Sequence, residues 1–226
     1  MRYPNIHRAA FIERPNRFVA RCLLEGEPIT VHVKNTGRCR ELLVPGAEVW
    51  LTKSDNPARK TAFDLIAVQK GPRLINMDSN APNTAFGEYA RAGKFLSDAQ
   101  KIRSEVRWGD SRFDFCLESG GKTHFIEVKG VTLEENGAVR FPDAPTERGV
   151  KHLRELQRAA AAGYGAHAVF VIQMKDVTQF SPNDDTHPAF GAALREAAKN
   201  GVQVHAFWCE VTPDTMEIAG SVKICL

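Results

Sequence analysis

Asp114, Glu127 and Lys129 carry the densest chemical signal in this 226-residue chain. They lie in the stretch Ser111 to Leu133, SRFDFCLESGGKTHFIEVKGVTL. Arg112 to Leu117 and Phe125 to Lys129 alternate polar with apolar residues, the period of a half-buried strand. Gly120-Gly121 between them makes a two-residue hairpin loop. A hairpin closed there sets Ser119 opposite Lys122 and Asp114 opposite Glu127, with Lys129 two residues along the same face. Phe113, Phe115, Ile126 and Val128 are expected on the other face. Directly opposed carboxylates repel. A divalent cation between them turns the repulsion into a binding site, since Mg²⁺ is commonly held by one or two carboxylates and water. The alternative is ion pairing of Asp114 with Arg112 or Lys129 on an ordinary surface.

The neighbouring elements add to this row. Ile102 to Trp108 alternates, and a tight turn at Gly109-Asp110 places Glu105 opposite Asp114, so that Glu105, Asp114 and Glu127 form one acidic line across three strands. Arg103, Arg107 and Arg112 neutralise part of it. Thr84 to Ala92 reads as a helix with Asn83 as N-cap, Gly93 as stop and Glu88 in its middle. Thr146 is placed to cap a helix running to Ala162, apolar at Val150, Leu153, Leu156 and Ala160. Arg148, Lys151, His152, Arg154 and Arg158 make that helix basic elsewhere, a surface for a phosphodiester or for solvent. His152 alone reads as a structural histidine. Ala166 to Met174 has the continuous apolar character of a strand buried on both faces. An amphipathic helix (188–200), a strand (202–208) and a tail that adds strands or returns to the first domain complete a mixed sheet flanked by helices.

Residues 1–78 read differently. Short strands at 18–24, 29–33, 48–52 and 62–69, separated by Gly/Pro/Asn turns, predict a small β-barrel of the five-stranded OB type. Residues 79–226 form the second domain. The first 82 residues hold 13 Lys+Arg against 8 Asp+Glu, and the remainder 17 against 19, so a basic front joins a mildly acidic body. Arg17, Arg21, Arg38, Arg59 and Lys60 are the candidate phosphate contacts on the barrel. The turn Asn35-Thr36-Gly37-Arg38 offers backbone N–H groups and a guanidinium. Aromatic stacking is the weaker expectation there, because Phe11, Phe18, Trp50 and Phe63 read mostly as core. Five scattered cysteines without a C-x-x-C pair argue against a disulfide framework or zinc knuckle and for a reducing cytoplasm. The N-terminus has no apolar h-region, and no run approaches the roughly 18 apolar residues of a membrane span. No P-loop, dinucleotide-binding glycine loop or helix-turn-helix appears, which weighs against a sugar enzyme or a conventional repressor.

NTGR, RK at 59–60, SRFDF, IEVKGVTL, FPDAPTERGVKHLREL and FVIQM, in this order over nearly the whole chain, resemble the sugar fermentation stimulation protein A family. Pro145 stands where that family's pattern has Val. The resemblance implies an OB-like barrel followed by a domain similar to PD-(D/E)xK nucleases. It also implies sequence-nonspecific DNA binding linked to sugar-utilisation genes, in the cytoplasm and open to nucleoid association. Glu88, Asp114, Glu127 and Lys129 match the catalytic pattern. Asp114 and Glu127, with the Val128 carbonyl, would bind Mg²⁺ or Mn²⁺, and Glu88 or Glu105 would complete the shell. Lys129 would support hydrolysis of a phosphodiester. Arg112, Arg148 and Lys151 join the barrel arginines as expected DNA contacts. An active Mg²⁺-dependent endonuclease or exonuclease is the alternative to a purely DNA-binding role.

Overall fold

The structure, a computed structural model, describes residues 1–35 and 37–226. The first domain contains β1 (Ile6–Asn16), β2 (Val19–Leu24), β3 (Glu27–Val33), β4 (Glu48–Lys53), β5 (Phe63–Lys70) and β6 (Arg73–Asn76). β1 pairs with both β2 and β4, and a parallel contact of β3 with β5 (Val33 opposite Leu65) closes five strands into an OB-like barrel. β1 is absent from the sequence reading for a physical reason. Its register shifts after Phe11 and again after Glu13. These bulges break the period of two and increase the twist, which lets one strand serve two neighbours. β6 forms where the sequence suggests only a connection.

The second domain runs α1 (Ala81–Arg91), β7 (Gln100–Trp108), β8 (Ser111–Ser119), β9 (Lys122–Val131), β10 (Leu133–Glu135), β11 (Ala138–Phe141), α2 (Glu147–Ala161), β12 (Gly165–Ile172), β13 (Gln179–Pro182), α3 (Pro188–Lys199), β14 (Gln203–Val211), β15 (Met216–Ser221) and β16 (Lys223–Ile224). The main sheet has the order β15-β14-β12-β9-β8-β7, with β9, β12 and β14 parallel. β12 is buried along its whole length, as its unbroken apolar sequence requires. α1 covers one face of this sheet, while α2 and α3 cover the other. A second sheet, β10-β11-β13-β16, builds on what the sequence showed only as a loop and a tail.

Both predicted hairpin registers hold next to their loops: Ser119 lies opposite Lys122 and Phe115 opposite Ile126, while Trp108 lies opposite Ser111, a register kept as far as Arg103–Cys116 and shifted before Gln100; the expected Asp114–Glu127 pair is not part of the ladder. Gly120 and Gly121 both adopt positive φ, 57° and 73°, as that tight loop demands. Thr146 caps α2 as expected, its hydroxyl accepting the Gly149 N–H at 3.0 Å. α1 begins earlier than expected. Asn80 precedes it and Pro82 sits in its first turn, where a missing N–H does no harm. Asn83 is therefore a helical residue and not the cap.

The two domains share a seam of buried carboxylates. Asp78 takes the Lys34 ammonium at 2.7 Å and the Tyr3 hydroxyl at 3.2 Å. Glu134 of β10 takes Lys70 at 2.9 Å, Arg73 at 3.2 Å and the Gly137 N–H at 2.6 Å. Cations from the barrel end thus neutralise acids at the entrance to the second domain.

Candidate metal and nucleic-acid site

The hairpin of β8 and β9 sets the site. Its ladder continues to Phe115–Ile126 and then stops. One residue further, the Asp114 carboxylate accepts the Val128 N–H at 2.7 Å, in place of a backbone carbonyl. Its other oxygen accepts from Asn83 Nδ2 on α1 at 2.9 Å. The alternation of β8 breaks here. Phe115 packs with Ile126 and Val128 on the α1 side, but Phe113 joins Cys116 and Phe125 on the α2 side. The expectation of Phe113 and Phe115 on one face is corrected accordingly.

Glu127, 3 % exposed, faces α2. One of its oxygens, Oε1, meets both Lys129 Nζ and His152 Nδ1. The other, Oε2, is buried and has no hydrogen-bond partner among the described residues. The two carboxylates are shifted in opposite directions. Burial and the neighbouring Glu127 charge push Asp114 up. Burial also pushes at Glu127, but His152 and Lys129 outweigh it and hold that carboxyl below the ordinary range.

Asp114, Glu127 and Lys129 are thus brought together. Glu88 and Glu105 share a cleft with Asp114 but stand on its rim. Glu88 is exposed and takes the N-terminal ammonium at 2.6 Å, while Glu105 is exposed and paired with Arg112 at 2.7 Å. Sequence reasoning passed over two contributors. Asn83, a cap candidate in the sequence, is one. His152 was set aside as structural, although its place between Val150 and Leu153 on the apolar stripe of α2 requires a buried partner.

The basic residues divide. Arg59 is held bidentately by Asp64, which also contacts His32, and Arg21 pairs with Glu13 at 2.9 Å. Arg112 is taken by Glu105. Arg148 Nε lies 3.4 Å from His152 Nε2, behind the site, and Lys151 donates to the Asp110 carbonyl at 3.2 Å. Lys60, Arg17 and Arg38 are exposed. Thr36 of the Asn35–Arg38 turn lies outside the described residues.

An OB-like barrel followed by a mixed, helix-flanked sheet with an Asp and an E-x-K on adjacent strands defines a two-domain class of restriction-endonuclease-like architecture. Residues 12–77 match the SfsA N-terminal OB domain, and residues 80–215 match the sugar fermentation stimulation protein RE domain. The chain belongs to the sugar fermentation stimulation protein family. Homologues of that name from Desulfitobacterium hafniense strain Y51 and Clostridium beijerinckii are 55% and 52% identical over 226 residues, covering 100% of this chain and 99% and 100% of theirs. The solved structure of Pyrococcus furiosus SfsA in complex with Ca²⁺ is 26% identical with a TM-score of 0.91, over 100% of this chain and 98% of that one. No helix among the described residues is long and apolar enough to cross a membrane.

Proposed function

We propose that this protein binds DNA with little sequence preference and hydrolyses phosphodiester bonds with a divalent cation, Mg²⁺ or Mn²⁺, held by Asp114 and Glu127. The observation that carries this reading is the buried, partnerless Glu127 Oε2 beside a carboxylate whose pKa is raised. An unsatisfied buried acceptor costs on the order of 1–3 kcal/mol, and a hard cation offsets it. The donor set fits such an ion: two carboxylates and backbone oxygen, without sulfur. The P. furiosus relative was solved with Ca²⁺, which takes the same class of ligand. When bound, the ion supplies Lewis-acid charge at the phosphate and a more acidic water. The chain's residues do the positioning. Asn83 and the Val128 N–H fix Asp114, His152 fixes Glu127, and Lys129 presents a cation to charge developing on the phosphate. DNA binding is also the route by which such a protein would act on sugar-utilisation genes.

A second reading, DNA binding without cleavage, is favoured by Lys129 and His152 already occupying Glu127 Oε1 and by the N-terminal ammonium on Glu88. Incubation with linear, supercoiled and branched DNA in Mg²⁺, Mn²⁺ or chelator separates the two. Cleavage lost in Asp114→Ala and Lys129→Ala is expected. Binding that persists in chelator, with no cleavage under any condition, leaves only the second. Binding should weaken steeply with salt. Failure to bind DNA at low salt would sink both.

A further inference from the structure

The barrel carries an exposed arginine groove that the metal site does not use. Arg14 anchors it from within: its guanidinium donates to the carbonyls of Arg17, Asn35, Gly37 and Arg38 at 2.6–2.9 Å. These bonds fix two separate segments so that the side chains of Arg17, Arg38 and Arg40 stand in solvent around one groove. Phe18 is next to it. The Asn16 side chain holds the Phe18 N–H at 2.9 Å, and the Arg17 guanidinium sits 4.8 Å from the ring centroid. At 47 % exposure, Phe18 is the one aromatic ring among the exposed large hydrophobic residues in the described part of the chain. A solvent-facing ring beside exposed guanidinium groups has the make-up of a base-stacking platform.

The groove borders the crevice between the domains. Gly37 lines it and also lines the crevice between the domains, whose far wall includes Asp143 and Thr146 and whose floor includes Gly130. Gly130 follows Lys129 directly. The two loops are in contact there, since a Cβ on Gly37 would lie 2.6 Å from Asp143 Oδ2. An exposed ring favours a single strand, because the bases of a duplex are stacked away from a side chain such as Phe18.

We infer that the arginine groove is a track for single-stranded DNA, with Phe18 stacking a base and Arg17, Arg38 and Arg40 contacting the strand's backbone. This inference rests on the DNA-binding reading and adds the substrate form and the residues that select it. Both can be tested in chelator, where no cleavage intervenes. Fluorescence anisotropy is measured with a labelled oligothymidylate and with a blunt duplex of equal length. The oligothymidylate should bind more tightly. Phe18→Ala should weaken it by about five- to a hundredfold, the worth of one stacked base, and leave the duplex unchanged, while Phe18→Tyr retains it. Arg38→Ala should weaken binding and reduce the salt slope by about one phosphate contact. Tighter duplex binding, or a Phe18→Ala variant equal to wild type on the oligothymidylate, overturns the track but leaves DNA binding standing. Binding of neither form overturns the functional reading itself.

Discussion

Asp114 accepts the Val128 N–H through its side chain, 2.7 Å away. This single bond ends the ladder of β8 and β9, frees the strands to part, and leaves Asp114 against α1 while Glu127 turns to α2. The sheet therefore places two carboxylates on either side of one junction, each held by a different helix: Asn83 of α1 for Asp114, His152 of α2 for Glu127. Their pKa values separate for that reason. Asp114 has neutral hydrogen-bond donors and a like charge nearby, whereas Glu127 has the Lys129 ammonium and the His152 ring.

Asp114→Asn should stabilise the protein without metal. A carboxyl whose folded pKa is raised contributes stability while protonated and loses it as pH rises through that folded value. Asparagine removes this penalty. At pH 7 in chelator the variant should melt a few degrees higher than wild type. The gap should close below the ordinary Asp pKa of about 3.9. Mg²⁺ should raise the wild-type Tm and leave the variant's unchanged. A variant that melts lower than wild type at pH 7 and gains as much from Mg²⁺ contradicts the assignment.

The hairpins were legible because Gly-Gly and Gly-Asp fix loop length, loop length fixes register, and register fixes which side chains oppose. The same logic failed at Asp114, where a side chain replaced a backbone acceptor and reset the alternation of Phe113. β1 was hidden by its bulges at Phe11 and Glu13. The small sheet was hidden because β10, β11, β13 and β16 are two to four residues long, too short to show a period, and pair across distant parts of the chain. Charge alone could not show that Arg59 belongs to Asp64 or that Arg14 serves carbonyl groups. Such contacts depend on tertiary neighbours.

His152→Ala should leave Glu127 with Lys129 as its remaining partner in a buried setting. Removing one member of a buried pair costs about 3 kcal/mol. Urea unfolding should show that loss. Glu127→Gln combined with His152→Ala should be less destabilising than the sum of the single changes, because the charge that needed a partner is gone. Strict additivity would mean that His152 acts through packing and not through Glu127.

Glu134 should act as a clamp between the domains. It binds Lys70 and Arg73 from the barrel end and the Gly137 N–H on its own side. Burial raises its pKa, but Gly137 and Lys70 outweigh burial and lower it. A lowered carboxyl contributes stability above its unfolded value and loses it as pH falls through the folded one. Glu134→Gln should therefore lower Tm at pH 7 and converge with wild type below about pH 4.3. Limited proteolysis should also cut the variant faster near residues 77–80. Unchanged cleavage together with an unchanged Tm would show that the seam holds without this carboxylate.

Three histidines form a column across β9, β12 and β14, at the end of the sheet opposite Lys129. His124 Nε2 donates to the Ser119 carbonyl at 3.3 Å, and its Nδ1 lies 2.9 Å from His167 Nε2. His167 Nδ1 lies 3.1 Å from His205 Nε2. The chain is satisfied when each ring is neutral and carries its proton on Nε2. Gly165 makes room for it, since a Cβ there would meet the His124 ring. Burial, the neighbouring histidines and Lys122 push His167 down to about 3, and burial pushes His205 down to about 4. Asp98, bound to Ser119 and Gly120, is the nearby acid. For histidines depressed in the folded state, stability is complete above the unfolded value of about 6.5 and is lost as pH falls towards the folded values. Wild type should thus lose stability steadily between pH 6.5 and pH 4. His167→Leu should be less stable at pH 7, because His124 and His205 each lose a partner, but its stability should fall less steeply over that range. Equal slopes in the two proteins, measured by urea unfolding, would show that His167 takes up its proton at the same pH in the folded and unfolded states and contributes no acid sensitivity.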